Sequence, residues 1–449
     1  MSAPAPPPAD AARHTLVKES ELRLEISSEG AFFQVVSGNA EVFGVEAAEG
    51  RIYALRADRR RAIFTWFGAD ILVWGGVSAA YVSAESQVPL YAALHSQLES
   101  RREASSAGGA RAGPRVLIVG PSDSGKSSLA RVLAGYAVRV GRAPTLVDLD
   151  LGQGDVSLPG TIAAASLDRQ CLSIEDGFTR IAPLAYFLGN TSAGDVTPVY
   201  RNATARLADA VNRRLSAATP VGAAARASGL VINTMGWVDG MGYDLIKDAI
   251  KAFAVDVVVV MGHDRTFAAL TEDAKTLGVG TGAGVGGSAA PITVLKLARP
   301  GGVVERARET RRDSRFARIR TYFYGPPRSA PGLPPMLSPE TITLTFDDVT
   351  IVRIGGTATD ASLVPIGKTS ALDPLRVTPV TPTAGSLINH VLAVSFATTE
   401  KAIPHVNVAG FVHVRAVNTK EKTITLLAPC GGALPSRYLI LGSVTWTEI

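Results

Sequence analysis

Hydrophobic positions fall into three successive patterns along the chain. Between residues 15 and 85 they come in short runs, LRLEI (22–26), AFFQVV (31–36), AEVFG (40–44), AIFTWF (62–67) and ADILVWGG (69–76). These runs are rich in aromatic and β-branched residues and are separated by Gly, Asn and Ser, which predicts the strands of a small antiparallel sandwich or barrel. Between Pro89 and Ser105 the leucines Leu90, Leu94 and Leu98 recur four apart, a helical period. SSAGGARAGP (105–114) then reads as a small-residue linker and a domain boundary.

Beyond that boundary the runs become almost wholly apolar: VLIVG (116–120), TLVDLD (145–150), GLVINT (229–234), DVVVVMG (256–262) and ITVLKL (292–297). Strands without polar alternation are buried on both faces. Helical stretches separate several of them, Lys126–Arg139, Val199–Arg214 and Tyr243–Phe253, and this alternation predicts a parallel sheet covered on both sides. GVGTGAGVGGSAA (278–290) reads as a surface insertion of small residues. An arginine-rich helix is expected from Arg299 to Arg320, followed by the Pro-rich GPPRSAPGLPP (325–335). ITLTFDDVTIVRIG, HVLAVSFA, AGFVHVRAV and TITLLAP return to strand patterning.

Composition narrows the class. A length of 449 residues suits about two to four domains. With 46% hydrophobic and 19% charged residues, a largely disordered chain is excluded. The net charge of +5 leans towards anionic partners such as nucleotides or nucleic acid. Two cysteines, Cys171 and Cys430, are too few for a disulfide framework and fit a reducing compartment. The opening MSAPAPPPADAARH lacks the apolar core of a signal peptide and is expected to be a disordered tail. The strongest apolar run, Ala254–Met261, is broken by Asp256 and is too short to span a bilayer, so a soluble intracellular chain with no membrane partner is expected. Six scattered histidines and two distant cysteines offer no metal-ligand cluster.

The chemistry concentrates at Gly120–Ser128. GPSDSGKSS has the form G-x-x-x-x-G-K-S and sits between a predicted strand and a predicted helix, the setting of a phosphate-binding loop. Glycines let successive amides turn inward towards phosphate oxygens, and the helix N-terminus adds partial positive charge. Lys126 is expected to reach the β- and γ-phosphates, and Ser127 to ligate Mg2+. A ligand-free Gly-rich turn is the alternative, but it leaves the Lys-Ser pair without a purpose. The ligand edge of such a sheet lies at the carboxyl ends of its strands. There Asp150, followed by LGQG, is the favoured second carboxylate over Asp148; it would hold a magnesium-bound water or accept a proton, or else merely cap a turn. Eight arginines stand between Arg299 and Arg320 against three acids, Glu305, Glu309 and Asp313. Arg308, Arg311, Arg312 and Arg315 share one helical face, compatible either with a phosphate-closing lid or with a solvated helix. Trp237, just past a strand end, either stacks on a base or fills the core. No N/T-K-x-D guanine-reading sequence follows any strand, which disfavours GTP.

These motifs together resemble the polynucleotide 5′-hydroxyl kinase family that includes the ATP-binding subunit of eukaryotic pre-mRNA cleavage factor IA. The resemblance runs through ESELR (19–23), NAEVFG (39–44), FTW (64–66), PRVLIVGPSDSGKSSLAR and DLDLGQGDVSLPGT. It continues through INTMGWVDG, FAVDVVVVM, GGVVERARETRR, YFYG and FDDVTIVRIG. It implies a multidomain α/β protein in which a central P-loop NTPase-type parallel sheet is flanked by an N-terminal β-sandwich domain and a C-terminal β-rich domain. The expected bounds are 1–14 for the tail, 15–109 for a β domain capping the nucleotide, 110–325 for the kinase-like domain with its arginine lid, and 326–449.

By the same resemblance Glu21 and Arg60 contact the adenine side of ATP. Asp123, Ser124, Gly125, Lys126, Ser127 and Ser128 hold the phosphates, and Asp150 is the general base. Ser127 and Asp150 attend the Mg2+, Trp237 clasps an RNA base, and Arg306 and Arg311 are the lid arginines, acting with Lys126 on the transferring phosphate. Five residues apart, those two arginines are turned by roughly 140° on an ideal helix, so the lid is bent or the two meet different sides of the phosphates. The implied function is that of an ATP-binding subunit of the nuclear pre-mRNA 3′-end cleavage and polyadenylation machinery. It would act as an ATP-stabilised scaffold with a polynucleotide kinase-type site, or as an active RNA 5′-hydroxyl kinase. Its implied partners are the scaffold subunit of cleavage factor IA, other 3′-end processing proteins and RNA.

Overall fold

The computed structural model describes residues 6–56, 60–106, 112–175, 177–178, 181–277, 291–326, 337–355 and 373–448. The Gly-rich stretch 278–290, residues 107–111 of the linker and most of the Pro-rich stretch lie outside them. Aromatic and β-branched alternation at the N-terminus gives an antiparallel sheet of strands β1 (Ala12–Leu16), β2 (Ser20–Gly38), β3 (Ala40–Val42), β4 (Val45–Ala47), β5 (Ile52–Leu55), β6 (Arg60–Thr65) and β7 (Ala69–Ser83). The runs at 22–26 and 31–36 are one strand. Between them β2 passes register irregularities against β7 that absorb the intervening polar residues, and such bulges bend a strand without ending it. Residues 12–14, expected within a disordered tail, belong to β1, which pairs with β7 from Ala12↔Val73 to Leu16↔Ala69. The inward side of the sheet is a core of its own, including Leu22, Leu24, Phe33, Ile63 and Ile71.

Helix α1 (Val88–Ser106) leads out of this domain. Its buried face is Tyr91, Leu94, Leu98 and Arg102, while Leu90 is 52% exposed, so the stripe starts one residue later than the leucine spacing suggested. Arg102 lies fully buried because its guanidinium is satisfied, donating to Ser228 O at 2.9 Å and to Glu99 at 3.2 Å. Ser228 closes helix α4 (Pro220–Ser228), so this contact ties α1 to the next domain.

Strands β8 (Arg115–Val119) and β9 (Thr145–Asp148), together with Leu230–Asn233, Val257–Met261 and Thr293–Leu297, form the parallel sheet that the apolar runs predicted. Alternation along β8 sends Val116 and Ile118 to one face, with Leu129 and Leu133 of helix α2 (Lys126–Arg139). Leu117 and Val119 face the other way, towards Leu207 of helix α3 (Thr197–Ser216) and Ile250 of helix α5 (Met241–Ala252). Helix α6 (Asp264–Leu277) packs Leu270 on that second face. Beyond β9 the sheet continues antiparallel through β10 (Thr161–Ser166) and Leu184–Phe187 into the C-terminal strands, so α/β and C-terminal regions share one 14-stranded sheet. Helix α7 (Arg308–Tyr324) buries Ile319 and Phe323, the latter stacked 5.7 Å from Trp446.

The N-terminal domain rests on α2 through the turn after β3. A Cβ on Gly135 would meet Gly44 O at 3.1 Å, so the two backbones approach as closely as glycine permits. Beside this contact the buried Glu41 carboxylate accepts a short hydrogen bond from Tyr136 and another from Arg139 at 2.7 Å. Glu41→Ala strands Tyr136 and loosens the cap. The expected cost is about 2 kcal/mol, measured as a lower urea midpoint with the cap separating first; an unchanged midpoint refutes this role for the pair.

Candidate functional site

The loop after β8 has the backbone that phosphate recognition needs. Gly125, at φ +97°, caps the N-terminus of α2, and Asp123 also adopts a left-handed φ of +53°. A Cβ at Gly120 would lie 2.6 Å from Met261 O, so only glycine passes there. Lys126 is the first residue of α2 and is 6% exposed, its Nζ donating to Gly120 O at 2.8 Å and Pro121 O at 2.7 Å. Burial lowers its ammonium to about 8, opposed by the nearby charges of Asp150 and Asp123. Ser124 Oγ is buried in the same loop with no partner among the described residues.

Two carboxylates stand across from it with different surroundings. β9 ends at Asp148, two residues earlier than the apolar run implied, because the chain folds around that side chain. Asp148 Oδ1 accepts from Asp150 N at 3.1 Å and Asn233 Nδ2 at 3.1 Å, and Oδ2 accepts from Asp155 N at 2.6 Å. Asn233 Nδ2 also lies 3.4 Å from Ser127 Oγ. Burial, reinforced by the Asp150 and Asp155 charges, pushes the Asp148 carboxyl up to about 7. Asp150 opens onto the cleft, its Oδ1 accepting from Gly152 N at 2.9 Å and Gln153 N at 3.0 Å. Its pKa is raised by burial, against those amides and the Lys126 and Arg306 charges. A carboxylate destabilised in its charged form is the better proton acceptor.

The arginine-rich segment is not one helix. Residues 299–307 are non-helical and α7 starts at Arg308, so the bend demanded by the Arg306–Arg311 spacing falls at Ala307. Both arginines converge on Asp123. Arg306 Nε reaches Oδ1 at 3.0 Å, while Arg306 N and an Arg311 guanidinium nitrogen reach Oδ2 at 3.0 and 2.7 Å. Gln153 spans the same gap, accepting from Arg306 at 3.2 Å and donating to Arg311 O at 3.2 Å. Further along α7, Arg318 and α2's Arg131 both pair with Asp155, at 2.9 and 2.6 Å.

On the cap side, Glu21 is already engaged within its own domain, accepting from Arg23 Nε at 2.6 Å and Ser86 Oγ at 2.7 Å. Arg60 pairs with Glu25 at 3.1 Å. Trp237, 37% exposed, stands past the end of Leu230–Asn233, and Gly242 leaves no room for a Cβ beneath its ring. Glu21, Arg60, Asp123 to Ser128, Asp150, Trp237, Arg306 and Arg311 all line one cleft of about 1430 Å³ between the cap, the loop and the lid, whereas Asp148, Arg308 and Arg312 do not. Among the described residues no group of three or more His, Cys, Asp or Glu forms a metal cage. Sequence reasoning missed Gln153, Asp155, Asn233, Arg131 and Arg318. Asn233 carried a signal, a polar residue closing an apolar strand; Arg131 carried none, and Arg318 stood only as one of the eight arginines of residues 299–320, its partner remote in sequence.

Three family descriptions match successive parts of the chain. They are the N-terminal beta-sandwich domain of polyadenylation factor at residues 15–105, the mRNA cleavage and polyadenylation factor CLP1 P-loop at 120–325, and the pre-mRNA cleavage complex II protein Clp1 at 337–448. The protein CLP1 homolog of Arabidopsis thaliana is 38% identical over 454 residues, covering 100% of this chain and 97% of that protein. The polyribonucleotide 5′-hydroxyl-kinase Clp1 of Xenopus tropicalis is 37% identical, covering 100% and 99%, and that of Homo sapiens 36%, covering 97% and 96%. The solved Clp1p chain of a wild-type Clp1p–Pcf11p complex shares the fold, with a TM-score of 0.79 at 24% identity over 98% of this chain and 99% of that one. Matched along its whole length, the chain belongs to the Clp1 family of mRNA cleavage and polyadenylation factors.

Proposed function

We propose that this chain is an ATP-binding subunit of the nuclear machinery that cleaves and polyadenylates pre-mRNA, and that its cleft is built for phosphoryl transfer to a 5′-hydroxyl of RNA. The observation that carries this reading is the convergence of Lys126, Asp150, Arg306 and Arg311 on one cleft with Trp237 at its edge. The relatives named as kinases and the family description as a cleavage factor support the two halves of the reading. The related Clp1p was solved in complex with Pcf11p, which supports docking of this chain on a corresponding subunit.

In this reading Asp150 takes the proton of the attacking hydroxyl as its oxygen bonds to the γ-phosphorus. The bond from that phosphorus to the β–γ bridging oxygen breaks, ADP leaves, and Lys126 with the lid arginines offsets the charge spread over the transferring group. Magnesium fits the corner beside the loop. Ser127 Oγ lies next to Asn233, whose Oδ1 is buried and unpartnered among the described residues, and Asp148 and Asp150 add carboxylates. Such an ion, when bound, neutralises phosphate charge. Bound ATP also bridges cap and core, and a ligand at a hundredfold excess over its Kd stabilises by about 2.7 kcal/mol.

Incubation with γ-labelled ATP and a 5′-hydroxyl oligoribonucleotide tests the reading. Label should pass to the RNA and be lost in Lys126→Ala. Wild-type labelling no better than the variant's, with ATP co-purifying intact, leaves an ATP-held scaffold in place of a kinase. Trp237→Ala should raise the KM for RNA roughly tenfold or more, the worth of one base stack, with ATP affinity unchanged. An unaltered RNA KM removes Trp237 from the substrate site.

A further inference from the structure

A carboxylate in a phosphate-binding loop is electrostatically costly, since it faces the anion the loop must attract. Asp123 carries that cost at a left-handed backbone of φ +53°, a conformation aspartate and asparagine adopt more readily than other non-glycine residues. Its side chain is 4% exposed, and both of its oxygens are taken by donors from the lid: Arg306 N, Arg306 Nε and one Arg311 nitrogen. The contact spans 183 residues between loop and lid. The backbone donor matters most, because it fixes the lid's main chain and not only a side-chain tip. Gln153 fastens the same two lid residues to the loop that carries Asp150. Arg311 engages Asp123 through a single guanidinium nitrogen, which leaves the other guanidinium N–H groups without partners among the described residues.

We propose that Asp123 is not a phosphate ligand but the positioning residue of the lid. Its carboxylate holds Arg306 and Arg311 over the loop, so the cations are oriented before the acceptor arrives. It spends some of their charge in doing so, and ATP is bound less tightly than the cleft's cations alone would allow. Preorientation is what transfer needs, since a misplacement of about 1 Å costs about a hundredfold in rate. The consequence for transfer rests on the kinase-type reading above; the consequence for lid order does not.

Asp123→Asn is the discriminating variant, because asparagine tolerates the left-handed backbone and keeps the side chain's shape while removing its charge. Hydrogen exchange at residues 299–312 should accelerate, the Arg306 amide most, because the asparagine NH2, turned either way, meets a lid donor and releases the lid, while exchange in β8 and α2 stays at the wild-type rate. ATP should bind as tightly as in wild type or several-fold more tightly, while kcat falls by one to two orders of magnitude, the scale set by misplacement. Asp123→Glu, which keeps the charge, should recover part of the lid protection. In an Arg306→Ala, Arg311→Ala background, Asp123→Asn should have little further effect on kcat, because residues acting through one another are non-additive. Unchanged exchange at residues 299–312 overturns the proposal whatever the transfer rate does. So does a loss of ATP affinity as large as the loss of kcat, which marks Asp123 as a phosphate ligand instead. A wild-type protein that transfers no phosphate but shows the exchange difference overturns only the kinase reading.

Discussion

Lys126→Ala is expected to abolish nucleotide retention and lower phosphoryl transfer by at least two to three orders of magnitude, the effect of deleting one preorganised donor to a developing charge. The geometry makes the loss large. Lys126 is 6% exposed, at the N-terminus of α2, where its Nζ sits within hydrogen-bond distance of two loop carbonyls. Alanine removes the cation while Asp150 and Asp123 remain beside the same cavity, so the field facing a triphosphate becomes more negative. Folding should survive, because the loop's shape depends on Gly120 and Gly125 and on the packing of Leu129 and Leu133. Nucleotide released on acid denaturation of the purified protein, compared with wild type, gives the binding arm, and label transfer the catalytic one. Retained nucleotide in the variant would falsify the assignment of this loop as the phosphate site.

The parts of the molecule legible in sequence were those specified locally. The phosphate loop is one contiguous motif whose glycines, lysine and serine each have a backbone or charge reason, and it folds as its pattern implied. The five parallel strands were legible because burial on both faces demands unbroken apolar runs such as VVVVM. Strand β10, TIAAAS, was missed because alanine carries little strand preference, and it is defined by its pairing with β9 and Leu184–Phe187. The union of central and C-terminal strands into one sheet likewise rests on pairing between residues as distant as Ala185 and Val408. The same limit applies to the site. Arg306 and Arg311 gave a spacing that required a bend, yet what they grip, Asp123, lies nearly two hundred residues away. Asp155 and its two arginines, and Asn233 between Ser127 and Asp148, are also long-range constellations that no window along the chain contains.

Asp150→Asn is the complementary experiment, and its effects should separate cleanly from those of Lys126→Ala. Asparagine keeps an acceptor oxygen for the amides of Gly152 and Gln153, so the turn after β9 is preserved. It removes a part-buried negative charge that repels Asp148 and a polyphosphate alike, so stability and metal-free ATP affinity should hold or rise, while the gain in ATP affinity on adding Mg2+ should shrink. What it cannot do is accept the proton of an attacking hydroxyl. Transfer should fall by about two to four orders of magnitude, the contribution of a positioned general base. Asp148→Asn should behave differently: Asp148 accepts from the backbone N–H of both Asp150 and Asp155, as well as from Asn233, and an amide turned either way puts an NH2 against a donor. That clash costs on the order of 1–3 kcal/mol, so this variant should lose stability before it loses any one kinetic step. Measuring kcat, ATP affinity and the unfolding midpoint for both variants distinguishes a base from a structural acid. If Asp150→Asn transfers phosphate at the wild-type rate while Asp148→Asn does not, the base is Asp148, reached through a rearranged loop, and Asp150 is reduced to capping its turn.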